Sequence, residues 1–320
     1  MNRREFIKQT ASAAAASVVV GGGVLLLGNR GEAAGKSSAG IYQPKKYQVA
    51  AIPDKPVMAV VKDKNWRQAT ATAIATIGGM GAFIAKGDYV CIKPNIGWDR
   101  TPEQGADTHP DIIAELTNLC FKAGAAKVVI IDVPCNSPDR TYNRSGIKAA
   151  AESEGAQVLM PDSNQLQDID FGPESLGEWQ ALKPILECDK LINVPVVKHH
   201  SLSGITAAMK NWLGALDGPR NRLHQNINDN VAELGRLFPA TLTIEDATRV
   251  LQRNGPTGGR IDDAIVYNTV IASTDPVAAD AYSTRFLKRK PADFSYLKTS
   301  QEKGLGSVEL PANKIAEIGI

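Results

Sequence analysis

The sequence predicts an α/β fold with a mainly parallel sheet that carries helices on both faces. Strand-like runs recur along the body, helix-like stretches fill several of the gaps between them, and the runs are continuously apolar and rich in β-branched residues. Strands of a parallel sheet are buried on both faces, so their sequences lack polar alternation. The predicted strands span residues 57–61, 89–93, 127–133, 156–160, 191–197, 242–244 and 266–272.

The amino terminus is typical of a twin-arginine export signal. Arg3 and Arg4 precede a small-residue run at 11–16 and an apolar run at 18–27, and Ala33 and Ala34 follow in a plausible cleavage region. This order predicts a signal peptide over residues 1–34, the export machinery as a partner, and a periplasmic or extracellular mature protein. The alternative, a membrane anchor, has less support because the apolar run is short and rich in Gly and Ala.

Two further segments follow the signal peptide. Residues 35–55 are rich in Ser, Gly, Pro and Lys without periodicity, which predicts a linker before a body at 56–320. The clearest helix of the body spans 110–123, with Asp107, Thr108 or His109 as cap and Gly124 at its end. Between 216 and 260 the strand–helix alternation breaks, so this stretch is a candidate second lobe.

Composition and cysteine spacing exclude several classes of function. Lys and Arg number 36 against 34 for Asp and Glu, a balance that argues against a nucleic-acid surface. No stretch of the body reaches the roughly 18 apolar residues that a membrane span needs. None of the four cysteines forms a Cys-x-x-Cys pair, so zinc-ribbon and ferredoxin spacings are absent and an iron–sulfur cluster is not expected.

Polar side chains follow three of the predicted strands. Ligands of open parallel sheets bind beyond the carboxyl ends of the strands, so these side chains are expected to line one crevice. Lysines there would bind a small anion, and a histidine would act as general base or metal ligand. The predicted catalytic residues are Asp132, Lys198 and His200, and the predicted ligand-binding residues are Lys93, Asn95, Thr206, Lys210 and Asn211.

Alternatives stay open for both the site and the function. A single lysine after a strand is usually a solvated charge, and Asp132 would also suit a helix cap. The protein is either an enzyme that acts on an anionic ligand, a metal-binding or redox-accessory protein, or a solute-binding module without catalysis. In the second case a divalent metal would bind His109, His199 and Cys135 together with His200 and Asp132. Phosphate-loop, dinucleotide, serine-hydrolase and zincin signatures are absent.

Spaced motifs over residues 56–286 resemble the family of domain of unknown function 362. They include Lys93-Pro94-Asn95, Thr108-His109-Pro110, Lys210-Asn211 and Asp275-Pro276. The resemblance implies the same fold and site location, without an assigned activity, and this chain lacks the ferredoxin-like cysteine runs of some relatives. Residues 87–132 are also similar in architecture to the amino-terminal part of nickel-dependent lactate racemase.

Overall fold

A computed structural model describes residues 41–49 and 52–319 of the chain. The predicted signal peptide and the first part of the predicted linker lie outside the described residues. Thirteen strands are present in the described part: β1 Met58–Lys62, β2 Tyr89–Pro94, β3 Lys127–Ile130, β4 Gln157–Val158, β5 Leu166–Asp170, β6 Glu178–Leu182, β7 Lys190–Val194, β8 Val196–His200, β9 Gly204–Thr206, β10 Leu216–Asp217, β11 Leu242–Leu251, β12 Ala264–Ser273 and β13 Ile315–Ile318.

Ten of these strands form one sheet. Eight of them lie side by side in the order β13-β1-β12-β11-β7-β2-β3-β4, and the other two are β8, which pairs with β11, and β9, which pairs with β8. Six pairings in this sheet are parallel, and three are antiparallel: β1 with β12, β11 with β12, and β8 with β9. A second, antiparallel sheet has the order β10-β6-β5. The prediction of an α/β fold with a mainly parallel sheet is therefore confirmed.

Helices cover both faces of the large sheet. The described α-helices are α1 Trp66–Thr76, α2 Pro110–Lys122, α3 Pro138–Arg144, α4 Ile147–Ser153, α5 Lys183–Glu187, α6 Ala208–Asn211, α7 Ile227–Leu237, α8 Pro276–Ser283 and α9 Ser295–Glu302. Short 3₁₀ helices lie at Met80–Ala82, Pro102–Gln104, Ser163–Gln165, Trp212–Ala215, Arg220–His224, Ile261–Asp263, Thr284–Leu287, Pro291–Asp293 and Ala312–Lys314. Over residues 52–319 no helix is long and apolar enough to cross a membrane.

The alternation of side chains along β2 divides the core into two clusters. Val90 and Ile92 pack in one cluster with residues of α1, α2 and α4, whereas Cys91 packs in the other with residues of α6 to α9. Successive residues of a strand point to opposite faces, so a strand buried on both sides must be apolar throughout. This geometry accounts for the continuous apolar runs in the sequence.

The predicted strand over 191–197 is in fact two strands. Pro195 separates β7 from β8 because it has no N–H group to donate to a neighbouring strand. β7 pairs with β2 and β11, whereas β8 pairs with the later part of β11 and forms a hairpin with β9. The break places Lys198 and His200 beyond the carboxyl ends of β7 and of its neighbour β2.

The candidate second lobe at 216–260 is a wrong prediction. β11 lies inside the large sheet between β12 and β7, and only Leu216–Asp217 joins the small sheet. The sequence predicts only the start of β11, at 242–244, because the centre of the strand carries acidic residues, although both Glu245 and Asp246 are buried. Hydrogen bonds make this burial possible: Ser283 donates to Glu245, and Thr248 donates to Asp246.

The body begins earlier in the chain than the predicted boundary at Pro56. Tyr47 is buried and its hydroxyl donates to the carbonyl oxygen of Ile185. Upstream, the backbone N–H of Tyr42 donates to the carbonyl oxygen of Asp170 over 2.7 Å. The last part of the predicted linker therefore packs against the body.

Candidate functional site

A pocket of about 520 Å³ lies beyond the carboxyl ends of β2 and β3, where the β8–β9 hairpin and α6 also converge. This volume is in the range of pockets that bind small molecules. Its walls contain most of the polar residues that the sequence singles out. The lining residues are Asn95, Gly97, Trp98, Asp132, Val133, Cys135, Lys198, His200, Ser201, Leu202, Thr206, Lys210, Asn211, Leu213, Gly214, Gly218, Pro219, Arg220, Asn221, His224, Pro256 and Thr257.

A buried ion pair forms the base of the pocket wall. Lys93 Nζ lies 2.6 Å from Asp132 Oδ1, and the Lys93 side chain is 0% exposed. The other carboxylate oxygen of Asp132 accepts a hydrogen bond from the backbone N–H of Ile96 over 2.7 Å. Burial lowers the pKa of Lys93, although the Asp132 carboxylate acts in the opposite direction. Both carboxylate oxygens and the ammonium of this pair are thus already engaged within the protein.

Gly214 makes room for this ion pair. A Cβ atom at position 214 would lie 2.1 Å from Asp132 Oδ1 and 2.9 Å from Lys93 Nζ. The backbone of Gly214 also accepts a hydrogen bond from the N–H of Val133 over 2.9 Å. The chain therefore approaches the ion pair more closely than a residue with a side chain would allow.

A network of amide side chains connects the pocket wall to the sheet. Asn95 donates to Asn211 over 2.9 Å, and Asn211 donates to Asn193 over 2.8 Å. Asn193 in turn donates to the carbonyl oxygen of Ala208 at the start of α6. This network leaves Asn95 Oδ1 as an acceptor, and Lys198 Nζ donates to it over 2.9 Å.

Lys198 enters the pocket from β8, opposite Thr206 of β9. Its ammonium also donates to the carbonyl oxygen of Ala106. Burial lowers the pKa of Lys198, and the nearby Asp107 carboxylate acts in the opposite direction. Thr206 Oγ1 is buried, and no residue at 41–49 or 52–319 makes a hydrogen bond with it. Two side chains that face each other in the hairpin therefore present a cation and a hydroxyl to the same space.

Lys210 differs from the other two lysines at the site in its hydrogen bonding. Its side chain lines the pocket and only 8% of the residue is exposed, yet its Nζ donates no hydrogen bond within the described part of the chain. Burial and the neighbouring Lys198 ammonium lower the pKa of Lys210 to about 7. A nearly buried cation without a counterion is costly, so this position is arranged for something other than stability.

Two histidines stack at the edge of the pocket. The rings of His200 and His224 are 5.8 Å apart and inclined by 17°. His200 Nδ1 accepts the backbone N–H groups of Leu202 and Ser203, which leaves its proton on Nε2. His224 Nδ1 lies 3.1 Å from the carbonyl oxygen of Arg220, so its proton lies on Nδ1 and its Nε2 is an acceptor.

The predicted role of His200 as a general base does not fit this geometry. Burial, followed by the charge of Lys210 and the proximity of His224, lowers the pKa of His200 to about 2. The lone pair of Nδ1 is already used by two backbone donors, and Nε2 carries the proton. His200 is therefore a neutral hydrogen-bond donor to the pocket.

Arg220 is the third cation that lines the pocket, beside Lys198 and Lys210. The sequence prediction did not include it among the site residues. Its guanidinium donates to the carbonyl oxygens of Val133 and Pro134, each over 2.8 Å. These bonds fix the side chain across the loop that follows β3. The turn Gly218-Pro219-Arg220 was the available sequence signal, because Gly and Pro place the arginine at a sharp loop.

A pair of buried carboxyl groups fixes α6 from behind. Asp280 Oδ1 accepts the backbone N–H of Ala208 over 2.5 Å, and Asp280 Oδ2 accepts that of Met209 over 3.2 Å. Tyr296 also donates to Asp280, over 2.8 Å. Burial raises the pKa of both Asp280 and its neighbour Glu245. Since α6 carries Lys210 and Asn211, these contacts position two side chains of the pocket.

The residues predicted to bind a metal lie in three different surroundings. His109 caps α2 through Nδ1, which accepts the N–H of Asp111, and its ring packs on Trp66. His199 Nδ1 accepts the N–H of Gly255. Only Cys135 lines the pocket, where its Sγ lies 3.8 Å from the Arg220 guanidinium.

The structure therefore corrects the proposed ligand set of His109, His199 and Cys135. In the described residues no three His, Cys, Asp or Glu side chains are grouped as a metal ion would require. Adjacent strand residues point in opposite directions, so His199 faces away from the pocket that His200 lines. All four cysteines are free, and Cys91, Cys120 and Cys188 are buried.

Comparison with known proteins gives a family and one curated relative. The family model described as Domain of unknown function (DUF362) matches residues 90–285, a span that includes every lining residue of the pocket. A thylakoid-associated protein of Synechocystis sp. is 25% identical over 249 residues, which cover 73% of this chain and 74% of that protein.

Two solved structures are similar to this chain at lower sequence identity. The lactate racemase apoprotein of Thermoanaerobacterium thermosaccharolyticum is 12% identical with a TM-score of 0.41, over 73% of this chain and 57% of that one. A Thermotoga maritima protein is 8% identical with a TM-score of 0.37, over 75% of this chain and 60% of that one. The chain thus spans less than two thirds of the length of either structure.

Proposed function

Because the chain belongs to the family described as Domain of unknown function (DUF362), a description that states no activity, we propose a function from the pocket itself. The protein binds a small anionic ligand, a carboxylate or a phosphate, between Lys198, Lys210 and Arg220. The pocket volume of about 520 Å³ suits a small molecule.

The observation that carries this proposal is the uncompensated positive charge of the pocket. Asp132 is the acidic residue of its lining, and Lys93 already neutralises it from behind. The buried Asp107 carboxyl lies near Lys198, outside the pocket lining, whereas no carboxylate of the described residues acts on Lys210. The proximity of Lys198 and Arg220 instead helps to lower the pKa of Lys210. A bound anion would relieve the repulsion among these cations, because an opposite charge favours the ionised form of each.

Neutral groups around the cations complete a site for an oxygen-rich ligand. Thr206 Oγ1 has no partner among the described residues, and His200 has an Nε2–H group to donate. Such donors supply geometric selectivity in addition to charge. The ligand we propose therefore has a charged group for the lysines and a second polar group within the same small volume.

A thermal-shift screen tests this function. The mature chain is heated with phosphate, monocarboxylates or dicarboxylates, and chloride at matched ionic strength is the control. A ligand at about 100 times its Kd adds about 2.7 kcal/mol of stability. We expect at least one anion to raise Tm by several degrees in the wild type and to lose this effect in Lys198→Met.

Lys86→Met is the matched control, since Lys86 is exposed and precedes β2 at the opposite edge of the sheet. It is expected to respond as the wild type does. The proposal fails if no anion in the set exceeds the chloride effect, or if Lys198→Met responds like Lys86→Met.

We also propose that the protein is exported by the twin-arginine route. The support is the order of Arg3, Arg4, the apolar run and Ala33-Ala34 in the sequence. Replacing both arginines with lysine should leave the precursor in the cytoplasm, as seen by fractionation and immunoblotting. Unchanged export of the double variant would contradict this route.

A further inference from the structure

The three lysines at the pocket differ in what their ammonium groups contact. Lys93 donates to Asp132 and to the carbonyl oxygen of Pro94. Lys198 donates to Asn95 and to the carbonyl oxygen of Ala106. Lys210 Nζ has no acceptor among residues 41–49 and 52–319, although the residue is 8% exposed and lines the pocket. Of the three amines, that of Lys210 is therefore the one that no hydrogen bond within the described residues holds in place.

We infer that Lys210 is a nucleophile that condenses with the carbonyl group of a small keto acid or aldehyde acid bound in the pocket. The inference rests on the proposed anion site, because Lys198 and Arg220 would bind the carboxylate of the same ligand. A ligand with a carboxylate next to a carbonyl carbon places its electrophilic atom close to the group that the carboxylate anchors. The pocket thus selects a chemical class, the oxo acids.

Lys210 has the surroundings that make a lysine nucleophilic near neutral pH. The charged and titratable groups near it are Lys198 and His200 of β8, Arg220 and His224 of the 3₁₀ helix after β10, and Cys135 of the loop after β3. Burial and two of these cations lower its pKa to about 7, whereas the Cys135 thiol acts in the opposite direction. An ordinary lysine is a free amine in only about one part in a thousand at pH 7.

The reaction balances without an added oxidant or reductant. The neutral amine of Lys210 donates its electron pair to the carbonyl carbon, and a carbinolamine forms. One amine proton moves to the carbonyl oxygen as the carbinolamine forms, and loss of the resulting hydroxyl group together with the remaining amine proton, as water, leaves a carbon–nitrogen double bond, the imine. His200 offers Nε2–H as a hydrogen-bond donor in the same pocket. Uptake of one proton from solvent then gives the cationic imine.

Reductive trapping tests the inference on the full mature chain. The protein is incubated at neutral pH with glyoxylate or pyruvate in the presence of sodium cyanoborohydride, and modified peptides are mapped by mass spectrometry. We expect Lys210 to be modified faster than exposed lysines such as Lys86 by about tenfold or more, given its larger fraction of free amine. Lys210→Arg should lose this adduct but retain the cation, and Lys86→Met should keep the adduct.

The map of modified peptides in the wild type decides the test even if the Lys210→Arg variant does not fold. Adducts spread evenly over exposed lysines, or none at Lys210, would overturn the inference. Calorimetric binding of oxalate, which has no ketone or aldehyde group, separates the two proposals. Oxalate binding without a Lys210 adduct leaves the anion site standing and removes the nucleophile. A Lys210 adduct without oxalate or phosphate binding would show a reactive amine but overturn the selection of oxo acids, because Lys198 and Arg220 would then hold no carboxylate.

Discussion

Lys93 and Lys210 are two buried lysines of one site with opposite surroundings. Lys93 is 0% exposed, and a carboxylate and a carbonyl oxygen accept hydrogen bonds from it. Lys210 is nearly as buried, but its ammonium faces the pocket without an acceptor in the described part of the chain. The first lysine is part of the framework, whereas the second is available to a ligand.

The difference shows how a fold can keep several cations close together. The Lys93–Asp132 pair contributes no net charge, so it can be buried without an anion from outside. Lys198, Lys210 and Arg220 keep their charge facing a cavity, where solvent or a ligand reaches them. Buried charge therefore indicates structure where it is paired, and indicates function where it is left unpaired beside a pocket.

The largest effect on stability is expected when the Lys93–Asp132 ion pair is broken. Asp132→Asn should lower the free energy of unfolding by about 3–5 kcal/mol, because Lys93 would remain as a buried cation without compensation. Urea denaturation measures the change. Glu174→Gln, at an exposed carboxylate, is the control and should stay within about 0.5 kcal/mol of the wild type. A loss of less than about 1 kcal/mol in Asp132→Asn would show that the pair is not structural.

A smaller loss of stability is expected when an added side chain crowds the ion pair but leaves both of its charges in place. Gly214→Ala places a methyl group 2.1 Å from Asp132 Oδ1, and the resulting shift should cost about 1–3 kcal/mol. Gly81→Ala is a suitable control because no atom lies within 4 Å of the added Cβ. Equal stability of the two variants in urea denaturation would contradict a tight fit around the ion pair.

The affinity of the pocket for an anion should depend on pH, because Lys210 has no counterion in the free protein. A bound anion raises the pKa of Lys210 above its value of about 7 in the free protein. Lys210 is protonated below that pH in both states, so affinity is highest and constant there. Above it, binding takes up a proton and affinity should fall by up to about tenfold per pH unit. Calorimetry from about pH 6 to about pH 9 tests this, and a constant affinity would refute it.

The smallest effect is expected on stability when the unpaired cation is removed. Lys210→Met should leave the free energy of unfolding in anion-free buffer unchanged or raise it by about 1 kcal/mol, because the variant no longer buries a charge without a counterion. Urea denaturation beside Asp132→Asn gives the comparison directly. If Lys210→Met were as destabilising as Asp132→Asn, Lys210 would belong to the framework as well.

The parts of the fold that the sequence predicts are those where local pattern and burial agree. β1, β2 and α2 follow from apolar runs, from periodicity and from Pro110 in the first helical turn. β11 was recognised only at its start, because Glu245 and Asp246 are buried through partners distant in sequence. A buried acidic residue with a remote partner has no local signal, so this strand was assigned to a separate lobe.

The site was predictable in location but not in the roles of its residues. Asp132, Lys198 and Lys210 follow strands or lie near them, and the general rule for parallel sheets brings them to one edge. Whether a lysine is paired depends on a carboxylate many positions away, as Lys93 and Asp132 illustrate. The tautomer of His200 depends on two backbone N–H groups of its hairpin, which residue type alone does not reveal.

The most direct test of the central claim is a calorimetric titration with the anion that stabilises the wild type most. The account predicts that Lys210→Met binds this anion about tenfold more weakly or worse, since a hydrogen bond to a charged group is worth about 1.5–3 kcal/mol. Lys86→Met should bind within about twofold of the wild type. Wild-type affinity in a folded Lys210→Met variant would contradict the claim that the unpaired lysine is there for a ligand.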